Sequence, residues 1–192
     1  MSGTSLKGYL LQEKIRDGSV GTVWRATDSK QQVVAIKQMS PAAAADPDKV
    51  KAFEKEASLT QKLAHKSIIR VVEMLDCSPP AFVMEYFESE NLKYALWNMP
   101  QRIVKHEFRI LRQVADALAF VHSQGVVHKD IKPENVLVNA KQEVRLIDFS
   151  LAQTKMDRIL QFSRRIEGTP LYMAPEQIRG EKCDPRICSG AI

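Results

Sequence analysis

The sequence predicts an α+β chain in two parts: a small antiparallel β-sheet lobe with one helix over residues 1–87, then a mainly helical second lobe over residues 88–192. Three observations carry this expectation. Between residues 9 and 86, short apolar runs rich in β-branched and aromatic side chains alternate with turn formers, which reads as five strands. A single helical stretch, Lys49 to Leu63, interrupts them. Residues 103–123 then show the longest helical pattern in the chain, with an apolar face wide enough to need helical neighbours on more than one side.

The first three strands are Tyr9 to Ile15, Thr22 to Asp28 and Val33 to Met39. Gly18 and Gly21 lie between the first two. A glycine-bearing hairpin tip lets backbone N–H groups approach phosphate oxygens closely, although taken alone the pair is better explained by an ordinary hairpin turn. Lys37 closes the apolar run Val33-Val34-Ala35-Ile36, and a lone lysine at a strand end is usually a solvated edge. The next segment shifts that balance. Asp46 and Pro47 supply an N-cap and a first-turn proline, and on the helix that follows Phe53, Glu56, Ala57 and Thr60 share one stripe. Glu56 is then an acid on an inward face, and Lys37 is its candidate cation. Ile68 to Leu75 and Ala81 to Tyr86 complete the strands around Ser78-Pro79-Pro80. In the second lobe, Phe108, Leu111, Val114, Ala115, Leu118 and Val121 form the apolar face of residues 103–123, and Gly125 ends the helix.

The chemistry concentrates in residues 127–149, where VHKDIKPENVLV precedes VRLIDFS. Asp130, Asn135 and Asp148 stand among apolar residues that read as strand. A desolvated carboxylate costs several kcal/mol or more unless it is paired or bound to a metal. Two Asp and an Asn in such a setting suggest oxygen ligands for a hard cation, and Mg²⁺, which takes few protein carboxylates plus substrate phosphates, fits.

These residues resemble the protein kinase family. His128-Lys129-Asp130 with Asn135 is similar to its catalytic loop, and Asp148-Phe149-Ser150 to its metal-binding triplet. The resemblance implies a bilobal protein-kinase-like fold and an activity dependent on ATP and Mg²⁺. Asp130 would accept the proton of the substrate hydroxyl, Lys132 would neutralise charge on the transferred phosphoryl group, and Asn135 and Asp148 would hold the metal. Lys37 and Glu56 would pair to hold the α- and β-phosphates. Gly18 and Gly21 would belong to the phosphate-covering loop, in which Arg16 stands where the family has its first glycine. Met84 would back the adenine pocket, backbone groups of Glu85 and Phe87 would meet the adenine edge, and Ile15, Val23, Ala35 and Leu137 would sandwich the ring. Thr169 would bridge Asp130 and Lys132. Asp-Ile-Lys-Pro-Glu-Asn is the family's serine/threonine form, so the substrate class is a protein bearing Ser or Thr. Ser163, beside Arg164 and Arg165, is a phosphorylation candidate, and Thr154 is another hydroxyl of that segment. Lys129 replaces the family's arginine, Ser150 its glycine and Thr60 an apolar residue.

Composition excludes several other classes. A net charge of +5 arises from 28 basic and 23 acidic residues spread along the chain, so no basic arm marks a nucleic-acid partner. No apolar run approaches the ~20 residues of a membrane span. Three cysteines without metal-ligand spacing and no recognisable secretory leader point to a reducing cytoplasm.

The resemblance runs from Tyr9 to Glu176 and then fades, which implies an incomplete second lobe and a kinase impaired by truncation. Glu176 would lack the arginine that pairs with it in the family. Pairing with full-length relatives is a further expectation. The alternative is a non-catalytic kinase-like module that binds nucleotide or docks to a partner. The intact set of Lys37, Glu56, Asp130, Asn135 and Asp148 favours the enzyme.

Overall fold

Strand pairing and turn chemistry shape the first half of the chain. The computed structural model describes residues 4–160 and 167–181. In order, β1 (Ser5–Leu6), β2 (Tyr9–Asp17), β3 (Gly21–Thr27) and β4 (Val33–Met39) lead to the short α1 (Pro41–Ala44) and to α2 (Pro47–Lys62), and β5 (Val71–Leu75) and β6 (Ala81–Glu85) follow. They form a six-stranded antiparallel sheet in the order β1-β2-β3-β4-β6-β5. The five expected strands are joined by the two-residue β1, too short to show a period. The strand expected from Ile68 begins only at Val71, because the Ile68 N–H is spent in a turn on the His65 carbonyl at 3.0 Å.

One face of this sheet packs Leu11, Ala26, Ile36, Leu75, Ala81 and Val83. The opposite face carries Met39, Val71 and Phe82, and α2 lays Phe53 and Ala57 on them. The helix starts where the sequence says it should. The Asp46 carboxylate accepts from the N–H groups of Asp48 and Lys49, and Pro47 occupies the first turn. Gly21 has a steric duty. Paired with Met39 across β3 and β4, it lies so close to the neighbouring strand that a Cβ would sit 2.8 Å from the Met39 Cα and nearer still to the Gln38 carbonyl.

The chain divides into two compact units, and residues 65–68 group with the second. That unit contains β7 (Glu90–Asn91), α3 (Leu92–Asn98), α4 (Pro100–Val104), α5 (Glu107–Ser123), β8 (Val136–Val138), β9 (Val144–Leu146), α6 (Lys155–Leu160) and α7 (Pro175–Ile178). β7, β8 and β9 make a small antiparallel sheet, and Leu146 in β9 donates to the Ser67 carbonyl at 2.7 Å. Helix α5 packs on β9.

Here the helical pattern of residues 103–123 needs correction. It is two helices with a break at Lys105 and His106. The buried stripe of α5 is Ile110, Val114, Ala117, Leu118 and Val121, whereas Phe108 is 82% exposed and Leu111 and Ala115 also face outward. Apolar residues at two adjacent angular positions make such a face ambiguous in sequence, and only the neighbours on β9 decide which edge is covered.

His128 and Phe149 close this core, with ring centroids 4.6 Å apart. Both imidazole nitrogens are used: Nε2 donates to the Ile147 carbonyl at 3.2 Å, and Nδ1 accepts from the Asp130 N–H at 3.3 Å. That tautomer is neutral. Burial holds the group below its ordinary value of 6.5, and the Ile147 carbonyl and the charges of Asp148 and Asp130 offset burial only in part. Among the described residues, no helix is long and apolar enough to cross a membrane.

Two outcomes follow for stability. Gly21→Ala should destabilise the protein by ~1–3 kcal/mol in denaturant titration, the range of an overpacked core. Gly18→Ala should cost much less, since its methyl would meet only the Gly21 carbonyl at 3.5 Å. For His128, the unfolded chain takes up a proton at a higher pH than the fold does. Stability should therefore fall as pH drops below about 6.5, by at most ~1.4 kcal/mol per pH unit. His128→Phe should flatten the slope between about pH 6.5 and pH 5, above the ordinary carboxylate range; an unchanged slope would assign it to another group.

Candidate functional site

The six-stranded sheet sets the register of the first group of candidate residues. Val23 pairs with Lys37, Ala35 with Met84, and Lys37 with Phe82, so these five side chains share one face. Helix α2 brings Glu56 to that face, and the Lys37 ammonium donates to both carboxylate oxygens, at 2.6 and 2.8 Å. Glu56 is buried at 6% exposure, and the Lys37 nitrogen also lies 5.8 and 5.7 Å from the ring centres of Phe53 and Phe82. A pair held this far from water is screened little, and removing one partner would strand the other. Thr60, one turn further along, satisfies itself locally by donating to the Glu56 carbonyl at 2.7 Å.

The remaining residues of this group sit at the margins of the sheet. Ile15 is half exposed on β2, and Arg16 pairs with Val23. Gly18 donates to the Gly21 carbonyl at 2.9 Å, closing the hairpin tip, and Thr22 donates to Asp17 at 2.5 Å. The Glu85 N–H is spent on the Arg70 carbonyl at 2.9 Å, and the Glu85 carboxylate accepts from the Arg70 N–H. Met84, Glu85 and Phe87 are all partly buried.

In the second unit, three of the sequence-derived candidates converge on the carboxylate of a fourth, Asp130. Asp130, 7% exposed, receives Lys132 Nζ at 2.6 Å and Asn135 Nδ2 at 3.1 Å on Oδ2, and the Thr169 hydroxyl at 2.8 Å on Oδ1. Lys132 also donates to Thr169 at 2.7 Å, so lysine, threonine and aspartate form a closed triangle. Asn135 is fully buried in a 3-10 turn before β8, and its Nδ2 bonds the Asp130 carbonyl at 2.8 Å as well. Leu137 lies on β8, paired with Arg145.

The other face of Asn135 bears on metal binding. Its Oδ1 is buried and has no hydrogen-bond partner among the described residues. An orphaned buried acceptor costs about 1–3 kcal/mol, and an amide oxygen is a ligand type that a hard cation takes. Asp148 follows β9 with φ of 65°, a left-handed conformation that is rare for a residue with a side chain. Its Oδ1 accepts a long 3.4 Å contact from the Ser150 N–H. One carboxylate and one unpartnered amide oxygen fit Mg²⁺, which keeps substrate phosphates in its shell. Ser150 itself is outside the left-handed region, so this backbone places no demand for glycine there.

Two participants, Glu167 and Gln177, escape sequence reasoning. Lys129, with φ of 69°, buries its side chain and meets Glu167 Oε2 at 3.0 Å, a single contact where an arginine would offer a fork. Gln177, buried at 4% exposure, donates from Nε2 to the Lys129 carbonyl at 2.9 Å and accepts at Oε1 from the Ala174 N–H at 3.1 Å. The only sequence signal for Gln177 is a glutamine at the third position of a helix, where such residues reach back to the N-cap. Thr154 caps α6 with Asp157, its hydroxyl and N–H each donating to Oδ2 at 2.7 Å. Ser163 lies outside the described residues. Glu176 is partly buried and has no ion pair among the described residues, although Arg179 is near enough to feel its charge.

Residues 9–187 match the family model described as protein kinase domain. A probable serine/threonine-protein kinase, pknA2, of Bifidobacterium longum is 33% identical over 179 residues, covering 91% of this chain and 24% of that protein. Serine/threonine-protein kinase PknL of Mycobacterium tuberculosis is 34% identical over 183 residues, covering 93% of this chain and 45% of the relative. PknA of the same species is 31% identical over 191 residues, 95% of this chain and 44% of the relative. The chain thus spans between about a quarter and just under half the length of these curated relatives. With the family model matching nearly its whole length, the chain belongs to the protein kinase family.

Proposed function

We propose that this chain carries the phosphotransfer machinery of a serine/threonine protein kinase, with ATP as donor and Ser or Thr hydroxyls of proteins as acceptors. The observation that carries the reading is the closed triangle of Asp130, Lys132 and Thr169. A buried carboxylate held on both oxygens by a lysine and a hydroxyl is oriented before any substrate arrives. In this role Asp130 accepts the proton of the incoming hydroxyl as its oxygen bonds to the γ-phosphorus. The bond from that phosphorus to the β–γ bridging oxygen breaks, and ADP leaves.

Lys132 balances charge on the transferred group, and Thr169 keeps Asp130 and Lys132 in register. Lys37, fixed by Glu56, offers its ammonium to the α- and β-phosphates. Val23, Ala35 and Met84 share the face of Lys37 and supply apolar surface for the adenine, together with Ile15 and backbone groups of Glu85 and Phe87. Asn135 Oδ1 and Asp148 would hold magnesium, which when bound draws charge from the phosphate oxygens. Lys129 is already paired with an acid of this chain, Glu167, which supports a loop ordered without phosphorylation of the segment around Ser163.

Thermal melts with ATP, with and without Mg²⁺, test the reading. Saturating nucleotide at ~100 times its Kd adds about 2.7 kcal/mol of stability, and the Mg²⁺-dependent part should vanish in Asp148→Asn. Equal stabilisation of wild type and variant, whatever the metal, would remove the basis for the metal assignment. Asp130→Ala should keep nucleotide binding and lose about 10²- to 10⁴-fold in the rate of radiolabel transfer from ATP to Ser/Thr peptides. A variant as fast as wild type would show that Asp130 accepts no proton.

A further inference from the structure

The Lys129–Asp130 peptide is held from both sides. Its carbonyl accepts from Gln177 Nε2 at 2.9 Å, and its N–H donates to His128 Nδ1 at 3.3 Å. Lys129, on one flank, stands in the left-handed region at φ of 69°. A residue with a side chain leaves that conformation unless its surroundings over-determine it. The peptide on the other flank of this strain is the one that aims the Asp130 carboxylate.

Gln177 does more than cap its own helix. A cap needs only the side-chain oxygen, and the Ala174 N–H takes it at 3.1 Å. The amide nitrogen is free for other work, and it reaches the Lys129 carbonyl 48 residues back in sequence, with a second, longer contact to the Glu167 carbonyl at 3.4 Å. One buried carboxamide thereby joins three backbone stretches: the loop that carries Asp130, residue 167, whose side chain pairs with Lys129, and the turn that begins α7. The chemistry is selective. Glutamate has the oxygen but no N–H, methionine matches the length with neither, and asparagine is one methylene too short.

We propose that Gln177 is a positioning residue for the phosphotransfer assigned above, acting through the Lys129–Asp130 peptide to hold the Asp130 carboxylate in line with Lys132 and Thr169. The inference rests on that reading for its kinetic consequence and on backbone geometry for its structural one. Gln177 touches no substrate. Loss of its donor frees the Lys129 carbonyl, lets the left-handed residue relax, and rotates the peptide before Asp130.

The test compares wild type, Gln177→Met and Gln177→Glu in the full chain by two measurements. The first is steady-state transfer from radiolabelled ATP to a pool of Ser/Thr peptides, separating kcat from KM for ATP. The second is amide hydrogen exchange at Asp130. Both variants should lose ~10- to 100-fold in kcat, the range for a slightly misplaced catalytic group, with KM for ATP within about twofold of wild type. Exchange at Asp130 should quicken at least ~10-fold, because its N–H bond to His128 opens more often. Unchanged kcat with unchanged exchange at Asp130 would overturn the proposal, as would a fall in kcat matched by an equal rise in KM, which marks general loosening. Gln177→Glu keeps the Ala174 contact and so keeps the helix cap, which makes it decisive if Gln177→Met does not fold. If wild type transfers no phosphate, the kinase reading fails, and the exchange rate alone then upholds or rejects the positioning role.

Discussion

A carboxylate buried at 7% exposure cannot stand alone, and the requirement to satisfy Asp130 organises the second unit. Its three partners come from two places: Lys132 and Asn135 from its own loop, and Thr169 from a segment 39 residues further on. Removing an ion from water costs several kcal/mol, regained only when partners fill its lone pairs with good geometry. The loop and the later segment therefore order each other. Lys129 with Glu167, and Gln177 with the Lys129 carbonyl, are parallel ties between the same two stretches.

The Lys37–Glu56 pair poses the same electrostatic problem in the first unit and meets it differently. Here a strand lysine and a helix glutamate meet through both carboxylate oxygens, and two aromatic rings flank the ammonium. The first unit spends no left-handed backbone on this pair. In the second unit two such residues, Lys129 and Asp148, flank the chemistry, at φ of 69° and 65°. Strain of this kind costs of order 1–3 kcal/mol per residue, and it falls next to the groups whose direction matters most.

What could be read from sequence divides along physical lines. The pairing of Lys37 with Glu56 was legible because a buried acid on a helix stripe demands a cation, and the grouping of Asp130, Lys132 and Asn135 because they are close in sequence. Helix α2 was legible from Asp46 and Pro47, whose capping chemistry is local. The covered edge of α5 was not, since Leu111 and Leu118 look alike until β9 chooses between them. Glu167 and Gln177 were invisible because their partners lie 38 and 48 residues away and no spacing rule connects them. The orphaned Asn135 Oδ1 also needs coordinates, for sequence places the amide without saying which of its atoms is already spent.

Gly18 and Gly21 are similar in sequence and different in duty. Gly21 is required by the path of the chain itself, where β3 runs against the Gln38 carbonyl, while Gly18 stands in comparatively open space. On the proposed reading, in which Gly18 covers the phosphates, a lineage that ceased to handle nucleotide would let Gly18 drift while Gly21 stayed under selection for folding. A surviving glycine at the second position is thus a fossil of architecture, and on that reading it is the first that carries information about whether the ligand is still in use.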